Sequence, residues 1–198
     1  MPMTVLTPET LLSAYCQGSF PMTDADGVTR WYTADPRGIL PLDGFHCPRT
    51  LRQLVKQRRF DVRFDENFTA TMRSCMTARR PESGGSWISE ELVAAYTALH
   101  ERGFAHSVEA HQDGRLVGGL YGVAVGGAFF GESMFHHVNN ASKVCLVHLV
   151  ERLRAKQFTL LDTQMVTAHM RQFGTQLIPA REYRRLLGTA IRQGRQFP

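Results

Sequence analysis

The sequence lacks the marks of a membrane-embedded, secreted or cofactor-bound protein. No stretch approaches the roughly 18 uninterrupted apolar residues that a membrane-spanning helix needs, and the N-terminus has no basic segment leading into an apolar one. A cytoplasmic protein with no membrane partner is expected. Cysteine is scarce and scattered: Cys16, Cys47, Cys75 and Cys145 form no C-x-x-C pair and read as reduced thiols. No Cys/His cluster has zinc-ligand spacing, and His136-His137, as consecutive residues, point apart and lack a third ligand; no metal is expected. A Gly-x-Ser-x-Gly elbow, a Walker loop and a dinucleotide fingerprint are all missing, so no cofactor is expected either. Internal repeats and low-complexity tracts are absent as well.

What remains is a chain of 198 residues, 43% apolar, long enough to bury a real core. Its 23 basic and 18 acidic residues give a net charge of +5, a mild excess that permits a polyanionic partner without demanding one. The segment from Leu116 to Phe135 mixes glycines with β-branched and aromatic residues, and predicts two strands joined at Gly126-Gly127. Within it, Glu132 stands between Gly131 and Ser133 in a run too apolar for an ordinary exposed face, and a buried carboxylate needs a partner.

Around that centre, helices are predicted from Thr7 to Gln17, over Arg49 to Arg59, from Phe68 to Ala78, from Ser89 to His100, after the capping residue Asn140, over Ala168 to Phe173 and from Ala180 to about Ile191. Strands are predicted over Phe60 to Phe64, Ala105 to Ala110 and Phe158 to Asp162, and the tail from Arg192 to Pro198 is expected to fray. The order from Phe60 suits an α+β fold: a mixed sheet with helices on its faces, close to the acyl-CoA N-acyltransferase (GNAT-type) arrangement. A small N-terminal domain over residues 1–46 is expected to precede a catalytic domain over 47–198.

Three features carry chemistry. Trp31 and Tyr32 beside Arg37 are what a nucleobase-stacking platform needs, although a ring packed into the small N-terminal core is the simpler account of them; both hold at once if the two neighbours face opposite sides of a strand. The helix from Arg49 is amphipathic and basic with no acid within it, which suits phosphate contact as well as a plain solvated face. Glu132, Asp162 and Gln164 form a polar set among apolar residues with no strong nucleophile, which fits transfer to an external amine. In a structural reading of the last set, Asp162 caps a helix and Gln164 bonds backbone.

The segments Trp31-Tyr32-Thr33-Ala34-Asp35-Pro36-Arg37, Ser86-Trp87-Ile88, Ala105-His106-Ser107-Val108-Glu109, Leu116 to Gly122, Phe130 to Phe135, Asn140-Ala141-Ser142-Lys143 and Asp162-Thr163-Gln164 together resemble the leucyl/phenylalanyl-tRNA–protein transferase family, in order and over nearly the whole chain. The resemblance implies transfer of Leu or Phe, and less efficiently Met, from aminoacyl-tRNA to the N-terminal Arg or Lys of a protein, creating an N-degron for proteolysis. It implies that Gln164 accepts the proton of the attacking amine, that Asp162 polarises Gln164, and that Glu132 helps hold the cationic acceptor. Leu120, Phe129, Met134, Leu149 and Leu161 fall at positions that line the family's side-chain pocket. Tyr32, where family members often have Trp, and Trp87 would hold the terminal adenosine, and Arg49, Arg52 and Lys56 would lie along the acceptor stem. An acetyl-CoA-dependent N-acyltransferase and a non-catalytic RNA-binding module are the alternatives. The first lacks a complete Gly-rich loop for pyrophosphate, and the second leaves the Glu/Asp/Gln set unexplained.

Overall fold

Alternation along the central segment builds a long hairpin, β6 (Arg115–Val125) and β7 (Ala128–His136). A computed structural model describes residues 6–78 and 86–197. Val125 pairs with Ala128 across a two-residue turn, and Gly126 supplies the positive φ of 57° that the turn requires. A side chain there would also strike the Ile191 carbonyl, 2.6 Å from where a Cβ would sit.

The hairpin lies in a seven-stranded sheet of order β4-β5-β6-β7-β8-β3-β9, with β3 (Arg37–Ile39), β4 (Asp61–Phe64), β5 (Ala105–Gln112), β8 (Leu160–Gln164) and β9 (Gln176–Ile178). Among the described residues only β7 and β8 run parallel; every other neighbouring pair is antiparallel. Two short strands, β1 (Phe20–Thr23) and β2 (Thr29–Tyr32), form a separate ribbon. The architecture is therefore the mixed α+β one that the element order predicts. The expected boundary at residue 46 falls after β3, which is a strand of the large sheet.

Because strand side chains alternate in direction, the sheet feeds two cores. On one face Tyr121, Val123 and Phe130 pack with Leu11 and Tyr15 of α1 (Pro8–Cys16), Met72 of α3 (Phe68–Thr77), Leu92 and Tyr96 of α4 (Glu90–Glu101) and Leu187 of α7 (Ala180–Ala190). On the other, Leu120, Ala124 and Phe129 pack with α5 (Ala141–Ala155) and with Leu51 of α2 (Arg49–Lys56). Gly118 lets α5 approach closely, since a Cβ there would lie 2.4 Å from that of Ala141.

Three local expectations need correction. The basic helix stops at Lys56, and Arg58, at a φ of 49°, is no longer helical. Asn140 occupies the N-cap position of α5 but at a φ of 70°, a conformation in which its side chain makes no capping bond. The tail does not end frayed at Phe197: this ring is 1% exposed, with its centroid 5.1 Å from Phe129 and 4.6 Å from the His106 ring. One aromatic in a polar tail outweighs the tail's own lack of periodicity, because burying it removes a large apolar surface from water.

Candidate active site

The parallel pair ends early. β7 and β8 pair from Ala128 with Leu160 to Phe130 with Asp162, and beyond that point each strand pairs only with its other neighbour. The carboxyl ends of parallel strands are where ligand crevices form in mixed sheets. Glu132 and Gln164 stand at this place.

Each residue is delivered by an irregularity in its strand. Tyr121 pairs with Ser133 and Gly122 with Gly131, so Glu132 is the extra residue of a β-bulge, a device that re-aims a side chain. In β8, Ile39 pairs with Asp162 and Gly38 with Gln164, which leaves Thr163 unmatched. Gln164 then adopts a φ of 52°, uncommon for a residue with a side chain, and its N–H donates to Asp162 Oδ1 at 2.8 Å. Across the gap Gln164 Nε2 donates to Glu132 Oε1 at 3.0 Å.

The carboxylate of Asp162 is fully buried and fully engaged. Arg37 Nε donates to its Oδ1 at 3.0 Å and Nη2 to its Oδ2 at 2.8 Å, and the Tyr183 hydroxyl donates to Oδ2 at 2.5 Å. Arg37 spends its third donor on the Gly18 carbonyl at 2.8 Å and lies between the rings of Phe20 and Tyr183. Arg37, at 1% exposure, is thus not a stacking partner for a nucleobase; its charge is consumed by Asp162. Asp162 meets Gln164 through the backbone, while the Gln164 side chain is held by Glu132.

Electrostatics set Glu132 apart. The residue keeps some exposure, yet burial of its carboxyl pushes the pKa up to about 8, the Asp162 charge adding to the rise while a Tyr15 hydrogen bond, Arg37 and Gln164 oppose it. The Tyr15 and Tyr96 hydroxyls below it share a hydrogen bond in full burial, and burial with the nearby Glu132 charge drives both phenols well above their ordinary range. Sequence reading missed Arg37, Tyr183, Tyr15 and Tyr96 as parts of this site. Arg37, followed directly by Gly38-Ile39-Leu40, carried the one usable signal: a cation entering an apolar strand has to meet an acid.

The five apolar candidates Leu120, Phe129, Met134, Leu149 and Leu161 join one cluster on the α5 face, all buried except the partly exposed Met134. Leu120 and Met134 are cross-strand partners. Strict alternation would send Phe129 and Met134, five residues apart, to opposite faces; the bulge at Glu132 puts both on the same one.

The nucleic-acid candidates lie elsewhere. Tyr32 is partly buried on β2, its hydroxyl donating to both oxygens of Asp24 at 2.6 and 2.7 Å. Trp87 packs partly buried against the α1/α4 core, and its carbonyl accepts from the Thr23 N–H of the neighbouring ribbon at 3.0 Å. The Gly-rich stretch at 79–85 that leads to it lies outside the described residues. Arg49, Arg52 and Lys56 are exposed along α2 with no ion pair among the described residues. His136 and His137 are exposed, as surface residues should be.

Comparison with known proteins joins these observations. Residues 39–188 match the family model described as leucyl/phenylalanyl-tRNA protein transferase, and residues 5–35 match the model for the N-terminal domain of the same proteins. Among curated relatives, the leucyl/phenylalanyl-tRNA–protein transferase of Salinibacter ruber is 51% identical over 94% of this chain and 80% of its own. That of Paramagnetospirillum magneticum is 51% identical over 98% of this chain and 94% of its own. Among solved structures, a ribosomal-protein-alanine N-acetyltransferase from Brucella melitensis biovar Abortus 2308 overlays with a TM-score of 0.39 at 17% identity, covering 57% of this chain and 85% of its own. The chain belongs to the leucyl/phenylalanyl-tRNA protein transferase family and is an aminoacyltransferase.

Proposed function

We propose that the protein transfers Leu or Phe, and Met less efficiently, from aminoacyl-tRNA to the N-terminal Arg or Lys of acceptor proteins in the cytoplasm, producing an N-degron. The observation that carries this reading is the Gln164 carboxamide, tethered through Nε2 to Glu132 and leaving Oε1 to accept, at the open end of the parallel pair.

An α-amino group has a pKa near 8 (about 7.7–8.0), so part of it is a free nucleophile at neutral pH. Its nitrogen attacks the carbonyl carbon of the aminoacyl ester; a C–N bond forms, the C–O bond to the ribose breaks, the amine loses one proton and the ribose oxygen gains one. Gln164 Oε1 accepts the N–H of the attacking amine and orients its lone pair, and the proton leaves as the tetrahedral centre collapses onto the ribose. Glu132 supplies negative charge for the cationic acceptor, whose approach favours the ionised carboxyl. Asp162, neutralised by Arg37, holds the Gln164 backbone in its left-handed turn and through it sets the carboxamide.

Leu120, Phe129, Met134, Leu149 and Leu161 would receive the donor side chain, rejecting charged residues by the cost of their desolvation. Tyr32 and Trp87 would stack on the terminal adenosine, with Arg49, Arg52 and Lys56 along the acceptor stem.

The test is label transfer from Phe-tRNA to an Arg-initiated peptide, with labelled acetyl-CoA as the competing donor. Label should appear only from the aminoacyl-tRNA, and Gln164→Ala should lower kcat at least tenfold with tRNA affinity unchanged; transfer from acetyl-CoA, or full activity in the variant, defeats the reading. Asp162→Ala is a poorer probe, because it strands the Arg37 charge in the core at a cost of about 3–5 kcal/mol.

A further inference from the structure

At the opposite edge of the sheet, two strands away from β7, a second polar cluster has no part in the proposed reaction. Glu109 and His111 stand two apart on β5 and so face the same side, the one covered by α3. Glu109 is 0% exposed and His111 6%. Glu109 Oε1 is well satisfied, accepting from the Asn67 N–H at 2.8 Å and the Ser107 hydroxyl at 2.7 Å. Its other oxygen, Oε2, has no hydrogen-bond partner among the described residues, and neither has His111 Nδ1. A buried carboxylate with one bare oxygen beside a buried imidazole with one bare nitrogen leaves two polar atoms unmet, a costly arrangement that a cation held between them relieves.

Glu66, in the turn between β4 and α3, completes the set: one ligating atom from each of Glu66, Glu109 and His111 lies within 4.8 Å of the others. Ligand bonds to zinc of about 2.0–2.2 Å would close that triangle with side-chain shifts of about 1 Å. The two carboxylates also carry the charge that a divalent cation neutralises.

We propose that Glu66, Glu109 and His111 form a divalent-cation site, of a ligand type suited to Zn2+, that staples the start of α3 to the outer strands of the sheet. One imidazole and two carboxylates are common donors for Zn2+, with water completing the shell. Among the described residues the competitor in place is Arg63, opposite Glu109 in the β4–β5 register, whose guanidinium holds both Glu66 oxygens at 2.6 and 2.7 Å and also Asp61 at 2.7 Å. That group is solvent-exposed, and exposed ion pairs contribute little, so Glu66 can exchange Arg63 for the ion and leave Arg63 on Asp61.

The test uses the full chain without a histidine tag, stripped with a chelator, desalted and titrated with ZnCl2 by calorimetry, with the melting temperature followed in parallel. One saturable Zn2+ per chain and a higher Tm are expected. Glu66→Gln, a change at an exposed position that leaves the fold intact, should weaken the affinity at least tenfold, and His111→Ala should abolish the site. Glu90→Gln, at an exposed acid on α4, should leave binding unchanged. No saturable binding, or Zn2+ binding that Glu66→Gln leaves untouched, overturns the proposal; in the first case the unmet polar atoms belong to a buried water, in the second the ion is adventitious. If His111→Ala does not fold, the Glu66→Gln titration decides alone.

Discussion

Glu132 is a carboxylate that folding makes harder to ionise. Its pKa near 8 in the folded chain, against about 4.5 when unfolded, means that the folded state holds the proton more tightly between those values. The contribution to stability is full below about pH 4.5 and declines as pH rises through 8. Glu132→Gln keeps the shape and can still bond Gln164 but has no charge to bury. Its melting temperature should therefore exceed that of the unsubstituted protein by a margin that grows from about pH 5 to pH 8 and then levels. A margin independent of pH would place the carboxyl in water. At this scale the sequence singled out Glu132, because a carboxylate among Gly, Phe and Met needs a reason, but it paired Gln164 with Asp162, whereas the Gln164 side chain bonds Glu132 and Asp162 holds only its backbone. The Arg37–Asp162 clamp stayed hidden: its halves are 125 residues apart and complement each other by charge, with no periodicity to connect them.

Among the elements, α5 and the β6–β7 hairpin were legible because each is long enough to repeat its pattern. β3 and β9, three residues apiece, are too short to show a period, and their place in the sheet is set by partners. The bulge at Glu132 escaped for a related reason, since alternation read straight through it assigns Phe129 and Met134 to different faces. α2 is the element whose role tests most directly. Its buried Leu51 anchors it while Arg49, Arg52 and Lys56 remain exposed, so replacing those three with Ala should leave the fold unchanged. If each neutralises one phosphate, the slope of log K for tRNA against log salt should fall by roughly 2–3. An unchanged slope would move the acceptor stem to another surface.

For the whole molecule, the least expected feature is how the last residues return to the core. Phe197 lies against Phe129, Phe158, Phe64 and the His106 ring, sealing the α5-side core from the edge. Phe197→Ala should cost about 3 kcal/mol in chemical denaturation, the loss expected when a buried Phe is truncated. A cost below about 0.5 kcal/mol would mean the ring is not held there in solution. The mixed sheet as a whole was readable from the order of its elements; this closure was not, since the polar neighbours of Phe197 gave no hint of a destination. The Arg37 guanidinium has a wider effect. It travels from the N-terminal quarter of the chain to quench a negative group on β8 two residues from Gln164. A protein divided near residue 46 into two co-expressed pieces would have to reassemble before Asp162 could leave water with its counter-charge beside it, so acyl transfer would be switched on by the reunion of the halves.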